Sequence, residues 1–210
     1  MVITYYGLSC FKVSSGDFTL AFDPPSRKSA LKSPRFQADV VFISHNHDNH
    51  SGYDVISEKD GKAPLKIDGP GEYETRGIPI QGILSWHDAD GGKEHGSNTV
   101  YTAELETIRL CHLGDFGERE LRTETQEAIG AVDILFIPVG GGTVMDAQTA
   151  AAIAARLEPR IILPMHYDKS ALDAFLKEIG AEGAADDKLT IKKKELPEDK
   201  TAVRVLRPSI

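Results

Sequence analysis

Val40-Val41-Phe42-Ile43-Ser44-His45-Asn46-His47-Asp48-Asn49-His50 joins an unbroken apolar run to a cluster of three histidines and an aspartate. An apolar run of strand length with no polar interruption predicts a strand buried on both faces. Polar residues that follow such a strand collect on a loop at the rim of its sheet. His45 and His47 are two apart and project to the same side of an extended segment. His50 comes three later, where a turn aims it at a second position. Imidazole is the commonest protein ligand for zinc, and neutral rings on one short loop can converge on an ion. The plain alternative is a polar loop that merely contains histidine. Three of the chain's seven histidines within six residues favour a metal site over it.

Working outward, residues 2–6, 10–13 and 18–22 read as strands separated by turn signals, and Asp23-Pro24-Pro25 stops the third. Residues 65–67 and 79–84 follow, and 99–103 with 107–112 form a hairpin around 104–106. Glu72 and Glu74 fall in a turn-rich segment and read as solvated. Residues 88–97 form a glycine-rich loop. Thr123-Glu124-Thr125-Gln126 has the pattern of a capping box, with Gly130 as the helix stop. Residues 133–137 and 160–163 read as buried strands. Between them Asp146 caps an alanine-rich helix that ends near Glu158. Ser170-Ala171-Leu172-Asp173 reads as a second capping box, for a helix ending at Gly180. A last strand spans 201–206, and Lys192-Lys193-Lys194 is a solvated charge run. Strands first, then strands alternating with helices, predict layered sheets with helices outside, in one domain over residues 1–210.

The chain has 210 residues, a formal net charge of -8, and ordinary hydrophobic (40%) and charged (27%) fractions. That balance disfavours nucleic acid as a partner, since phosphate-backbone recognition leaves a basic footprint. It permits a small anionic substrate, because a metal ion supplies positive charge locally. The two cysteines, Cys10 and Cys111, have no paired spacing and read as buried small hydrophobes. The first six residues do not form a signal peptide, and no apolar run approaches the ~18 residues of a membrane span. A cytoplasmic protein without membrane attachment is expected.

Three further polar groups stand at strand ends, where sites form. His87 closes Ile83-Leu84-Ser85-Trp86, Asp115 follows in His112-Leu113-Gly114-Asp115, and His166 follows in Pro164-Met165-His166-Tyr167. His112 reads as a core histidine or a support for the ligands, and His95 as exposed on its loop. Gly140-Gly141-Gly142 suits either an anion-binding turn or a tight strand-to-helix connection.

The order and spacing of these segments resemble the metallo-β-lactamase fold superfamily, in its branch of small single-domain hydrolases. Five motifs carry the resemblance over nearly the whole chain. They are Gly7-Leu8-Ser9-Cys10, the histidine cluster, Trp86-His87 with Leu113-Gly114-Asp115, Ile137-Pro138-Val139-Gly140-Gly141, and Pro164-Met165-His166-Tyr167. The resemblance implies an α+β (αββα) four-layer sandwich, two mixed β-sheets with helices on the outer faces. It implies that His45, His47 and His87 hold one metal, that Asp115 bridges to a second, and that His50 and His166 complete it. The family pattern is His-x-His-x-Asp-His. Here Asn49 occupies the aspartate position and the aspartate stands one residue earlier, as Asp48. Asparagine is a weak ligand and cannot accept a proton as a carboxylate does. Leu8 also departs from relatives that carry histidine there.

The resemblance implies a hydrolase using a metal-bound hydroxide on an ester-type bond, a phosphodiester or lactone, in a small-molecule substrate. The cofactor is one or two divalent ions, zinc first, with manganese or iron as alternatives. Asp48, Asn49 and Asp115 are the candidate catalytic residues. Asn49 sustains a second reading, a metal-binding module or sensor with weak or no catalysis. A nuclease is a third, disfavoured by the acidic charge. Oligomeric state is not encoded in any pattern of this sequence.

Overall fold

Alternation of side chains along a strand is what divides this chain into layers. Val40 and Phe42 of the fourth strand point between two sheets, whereas Val41 and the following Ile43 point to the opposite face. The computed structural model describes residues 1–209.

The first half supplies β1 (Val2–Tyr5), β2 (Phe11–Ser15), β3 (Phe18–Phe22), β4 (Val40–Phe42) and β5 (Leu65–Ile67). It continues with β6 (Gly71–Thr75), β7 (Ile78–Trp86), β8 (Ser97–Leu105) and β9 (Ile108–His112). Next come α1 (Thr123–Ile129), β10 (Ile134–Pro138), α2 (Ala147–Leu157), β11 (Ile161–Met165) and α3 (Lys169–Ile179). Four two-residue strands close the chain: β12 (Ala185–Asp186), β13 (Leu189–Thr190), β14 (Ala202–Val203) and β15 (Val205–Leu206).

Two mixed sheets result, ordered β13-β1-β2-β3-β4-β5 and β14-β11-β10-β9-β8-β7-β6. Between them Phe11, Phe22 and Phe42 of the first sheet meet Tyr101, Leu110 and Phe136 of the second, all buried. Each such side chain contributes roughly 1.5–3 kcal/mol by leaving water. The outer face of the second sheet is covered by the helices, with Ile153 and Leu157 of α2 and Phe175 of α3 over Leu135 and Ile162. The outer face of the first is covered by the 24–64 segment, where Phe36 and Ile56 lie over Ala21, Val41 and Ile43. Its only regular element is a 3₁₀ turn, Tyr53–Val55, so that layer is loop rather than α-helix.

Local expectations differ from the structure at several places. Residues 71–75 form β6, paired with β7, so Glu72 and Glu74 belong to an edge strand. Their alternation with Tyr73 was masked by the Gly69-Pro70-Gly71 turn. Thr123 is inside α1, whose N-cap is Arg122 with no side-chain cap. The cap of α3 is Asp168, which accepts from the Ala171 N–H at 2.8 Å, rather than Ser170. The expected last strand is split at Arg204, so that β14 joins β11 and β15 joins β12. Asp146 caps α2 as expected, accepting from the Thr149 N–H at 2.8 Å.

Strands β3, β4, β9, β10 and β11 end at one common rim. In the first sheet β3, β4 and β5 run parallel, as do β9, β10, β11 and β14 in the second. Parallel alignment brings the segments after each strand to one edge of the sandwich. That is the edge where Asp23, His45, Asp115 and His166 stand.

Candidate metal centre

Asp115 is the hub of the site. Its backbone N–H is held by Asn98 Oδ1 at 2.9 Å, and the Asn98 amide is fixed by Ser85 Oγ and the Leu113 carbonyl. The Ser9 hydroxyl donates to Asp115 Oδ1 at 2.9 Å. The other oxygen, Oδ2, is left to four imidazoles. It lies 3.2 Å from His50 Nε2, 3.3 Å from His87 Nε2, 3.3 Å from His166 Nε2 and 4.0 Å from His45 Nε2.

The donor atoms fall into overlapping sets, each within 4.8 Å of one another: His45, His87 and Asp115; His50, Asp115 and His166; and His45, His47 and His50. The first two share only Asp115. His47 stands with His45 and His50 at the exposed side, and its Nδ1 accepts from the Asn49 N–H at 3.2 Å. All six histidine and aspartate donors selected from the sequence therefore meet here. Asp48 does not. It is exposed and outside these sets, with its carboxylate 3.4 Å from Ser26 Oγ. Asn49 turns its amide oxygen to Ser29 Oγ, which donates at 2.6 Å.

Asp23 is a part of the site that the sequence reading missed. This buried residue accepts from Ser44 N–H at 2.7 Å and Ser44 Oγ at 2.6 Å, and its Oδ2 lies 3.4 Å from His50 Nδ1. That last contact is an ion pair and falls short of hydrogen-bond geometry. Because the Ser44 hydroxyl gives its only proton to Asp23, it accepts from His45 Nδ1 at 3.0 Å. Asp23 thereby orients His50 directly and His45 through Ser44, leaving each Nε2 aimed at the cluster. Two signals for it were present: an aspartate at the end of a buried strand, and the Pro24-Pro25 that fixes the turn. Ser9 lay inside a segment that was singled out, but nothing local assigned it a partner more than a hundred residues away.

His112 is core. Gly114 N–H donates to its Nδ1 at 3.1 Å, so Nε2–H donates to the Ser9 carbonyl at 2.9 Å, and its ring stacks on Phe22. His95 is exposed, with its ring 5.2 Å from that of His87. Cys10 and Cys111 are buried, and burial pushes both thiols up, so neither is a nucleophile.

Charge in the site is set by competition between burial and proximity. Burial opposes a charge on His50, but Asp115 and Asp23 on either side outweigh it and raise its pKa to about 10. Burial and the neighbouring His50 charge lower His45 to about 4, which leaves it neutral at pH 7. Asp115 stays well below the carboxylate range despite burial, because His50, His166 and His87 surround it.

Backbone geometry at the rim is strained where contacts demand it. Asp23 (φ 43°), Leu8 (φ 46°) and His166 (φ 53°) are non-glycine residues in the left-handed region. Leu8 and His166 are joined, the His166 N–H donating to the Leu8 carbonyl at 2.9 Å. Gly140 is required by close approach, since a Cβ there would stand 2.0 Å from the His166 carbonyl oxygen. This favours the tight-connection reading of the glycine run.

A family profile described as "Beta-lactamase superfamily domain" matches residues 2–166. The solved structure of a protein from Thermotoga maritima, assigned as a Zn-dependent hydrolase of the metallo-beta-lactamase superfamily, is 31% identical. It aligns over 98% of this chain and 97% of its own, with a TM-score of 0.78. The chain belongs to the metallo-β-lactamase superfamily. A metal-dependent hydrolase of Thermococcus onnurineus is 26% identical over 193 residues, 79% of this chain and 84% of that protein. A metallo hydrolase of Ignicoccus hospitalis shares the fold at 21% identity, with a TM-score of 0.67 over 99% of this chain and 95% of that one. Membership accounts for the two mixed sheets of this metallo-β-lactamase fold. Among the described residues, no helix is long and apolar enough to cross a membrane.

Proposed function

We propose that this chain, a metal-dependent hydrolase by family and relatives, cleaves an ester-type bond, a phosphodiester or lactone, in a small molecule. The observation that carries the reading is the single Asp115 oxygen facing four imidazoles. A set of imidazoles and one carboxylate suits zinc, and manganese or iron as well. His45, His47 and His87 would hold one ion, His50 and His166 a second, and Asp115 both. The two donor sets that share only Asp115 support that division for every ligand except His47, which groups with both His45 and His50.

A divalent ion there supplies Lewis acidity and makes water a nucleophile near neutral pH. The protein's own groups do the remainder. His45, neutral and anchored by Ser44, presents a lone pair at Nε2. His50 gives up its proton to do the same, with Asp23 retaining its ring orientation. Ser9 holds the Asp115 carboxylate through Oδ1 and Asn98 holds the Asp115 backbone N–H, which leaves Oδ2 facing the four imidazoles. Asn49 contributes hydrogen bonds only, and Asp48 is turned toward Ser26.

One observation favours the second reading, a metal-binding module with weak catalysis. The side-chain oxygen at position 49, amide rather than carboxylate, is already engaged by Ser29. Bound metal per chain, measured with turnover on ester, thioester, lactone and phosphodiester panels, separates the two. Hydrolysis of a lactone or phosphodiester that depends on the metal is expected. Full metal occupancy with no turnover on any panel would establish the binding module instead.

A further inference from the structure

The 24–64 segment that covers the first sheet carries a groove of about 830 Å³ whose lining differs in charge from the rest of the chain. Arg27, Lys32 and Arg35 line it, with Tyr6, Val55 and Ser57, and no acidic side chain does. In a protein of net charge -8 this concentration of one sign needs a reason. The three cations are exposed. Arg27 shares its charge with Asp54 at 3.4 Å, while Lys32 and Arg35 have no carboxylate partner among the described residues. Cations that line one groove repel one another unless an anion joins them.

Both walls of the groove are tied to the metal centre through short stretches of chain and hydrogen bonds. Tyr6 is two residues from Leu8, whose carbonyl holds the His166 N–H, and two residues span at most about 7 Å. On the other wall, Arg27 lies between Ser26 and Ser29. Ser26 N–H donates to the Asp48 carbonyl at 2.7 Å, and Ser29 Oγ donates to Asn49. The basic loop is thus fastened to the histidine loop.

The lining also specifies ligand chemistry. Two guanidinium forks and an ammonium are donors without acceptor capacity, which match the several oxygens of a phosphate. Tyr6, its ring tilted by 31° against that of Phe36 with centroids 5.1 Å apart, and Val55 offer an apolar wall for an organic body. The groove volume lies within the ~300–1,000 Å³ range of small-molecule sites.

We propose that this groove binds the phosphate-bearing end of a small organic phosphate, which is presented to the neighbouring metal centre as substrate. The inference rests on the hydrolase reading for its second half and on the groove alone for its first.

Phenyl phosphate, titrated calorimetrically into the metal-loaded protein, tests it. Binding is expected for phenyl phosphate and not for phenol, weakening as salt is raised. Lys32→Glu with Arg35→Glu, both exposed and expected to leave thermal unfolding unchanged, should weaken it at least tenfold. No binding by the wild type, or equal affinity in the charge-reversed variant, overturns the proposal. Binding unchanged by that variant but lost in Asp115→Ala assigns the phosphate to the metals and likewise overturns it. Groove binding that persists while no ester is hydrolysed refutes the hydrolase reading and leaves the binding site standing.

Discussion

Asp23 and His50 form a buried pair, 3.4 Å apart, with Asp115 on the opposite side of the same imidazole ring at 3.2 Å. Two carboxylates thus flank one histidine in a water-poor rim. That arrangement determines how the metal-free protein titrates and what a metal must displace.

In the metal-free protein the folded pKa of His50, about 10, exceeds the unfolded value of 6.5. Its contribution to stability is fully present below pH 6.5 and is lost as pH rises through about 10. Asp23 and Asp115 are depressed, so their contributions are present above pH 3.8 and lost as pH falls. The thermal unfolding midpoint of metal-free protein should therefore fall as pH rises from 6.5 to about 10. Metal loading should release a proton, read by calorimetry in two buffers of different ionisation heat. A midpoint independent of pH across that window would remove His50 from between the carboxylates.

Because Asp115 belongs to two donor sets and His166 to one, their removal should differ in stoichiometry. Asp115→Ala is expected to abolish binding of all metal, and His166→Ala to spare one ion if two bind. Metal per chain by elemental analysis distinguishes them. Equal loss in both variants would refute two sites that share Asp115.

Asn49→Asp restores a carboxylate at the family's aspartate position. We expect it to tighten the second metal, and more so with Ser29→Ala, which removes the hydroxyl that engages the side chain at 2.6 Å. Competition with a chelator measures the change. Unchanged affinity in both backgrounds would mean that residue 49 does not address the metals.

Gly114 has φ +59°, and a Cβ on it would stand 2.4 Å from Asn98 Oδ1 and 2.6 Å from Ser44 Cβ. Gly114→Ala must displace the amide that holds Asp115 or the serine that links Asp23 to His45. A loss of about 1–3 kcal/mol in stability is expected from the overpacking alone, together with weaker metal binding. Chemical denaturation and metal titration check both. Wild-type values would show that the loop relaxes without cost.

Much of this was legible locally. The apolar run before His45 reads as a doubly buried strand because each residue of Val40–Phe42 has a packing partner on its own face. His87, Asp115 and His166 could be selected because each follows a strand, and residues after parallel strands share a rim. Edge strand β6 was lost because its exposed glutamates carry no burial signal, and the caps of α1 and α3 because several polar residues compete at each helix start.

By itself the sequence determined the buried strands and the helices and which donor types the rim holds, since hydrophobic alternation and residue chemistry are local properties. Only the tertiary structure decided what each donor faces. Ser9 meets Asp115 and Asp23 meets His50 across long stretches of chain, because two sheets pack on one core and bring unrelated loops together. Tertiary packing also set the directions at adjacent positions, with Asp48 turned toward Ser26 and Asn49 toward Ser29. A side chain's direction depends on the loop opposite it, and no spacing rule encodes that loop.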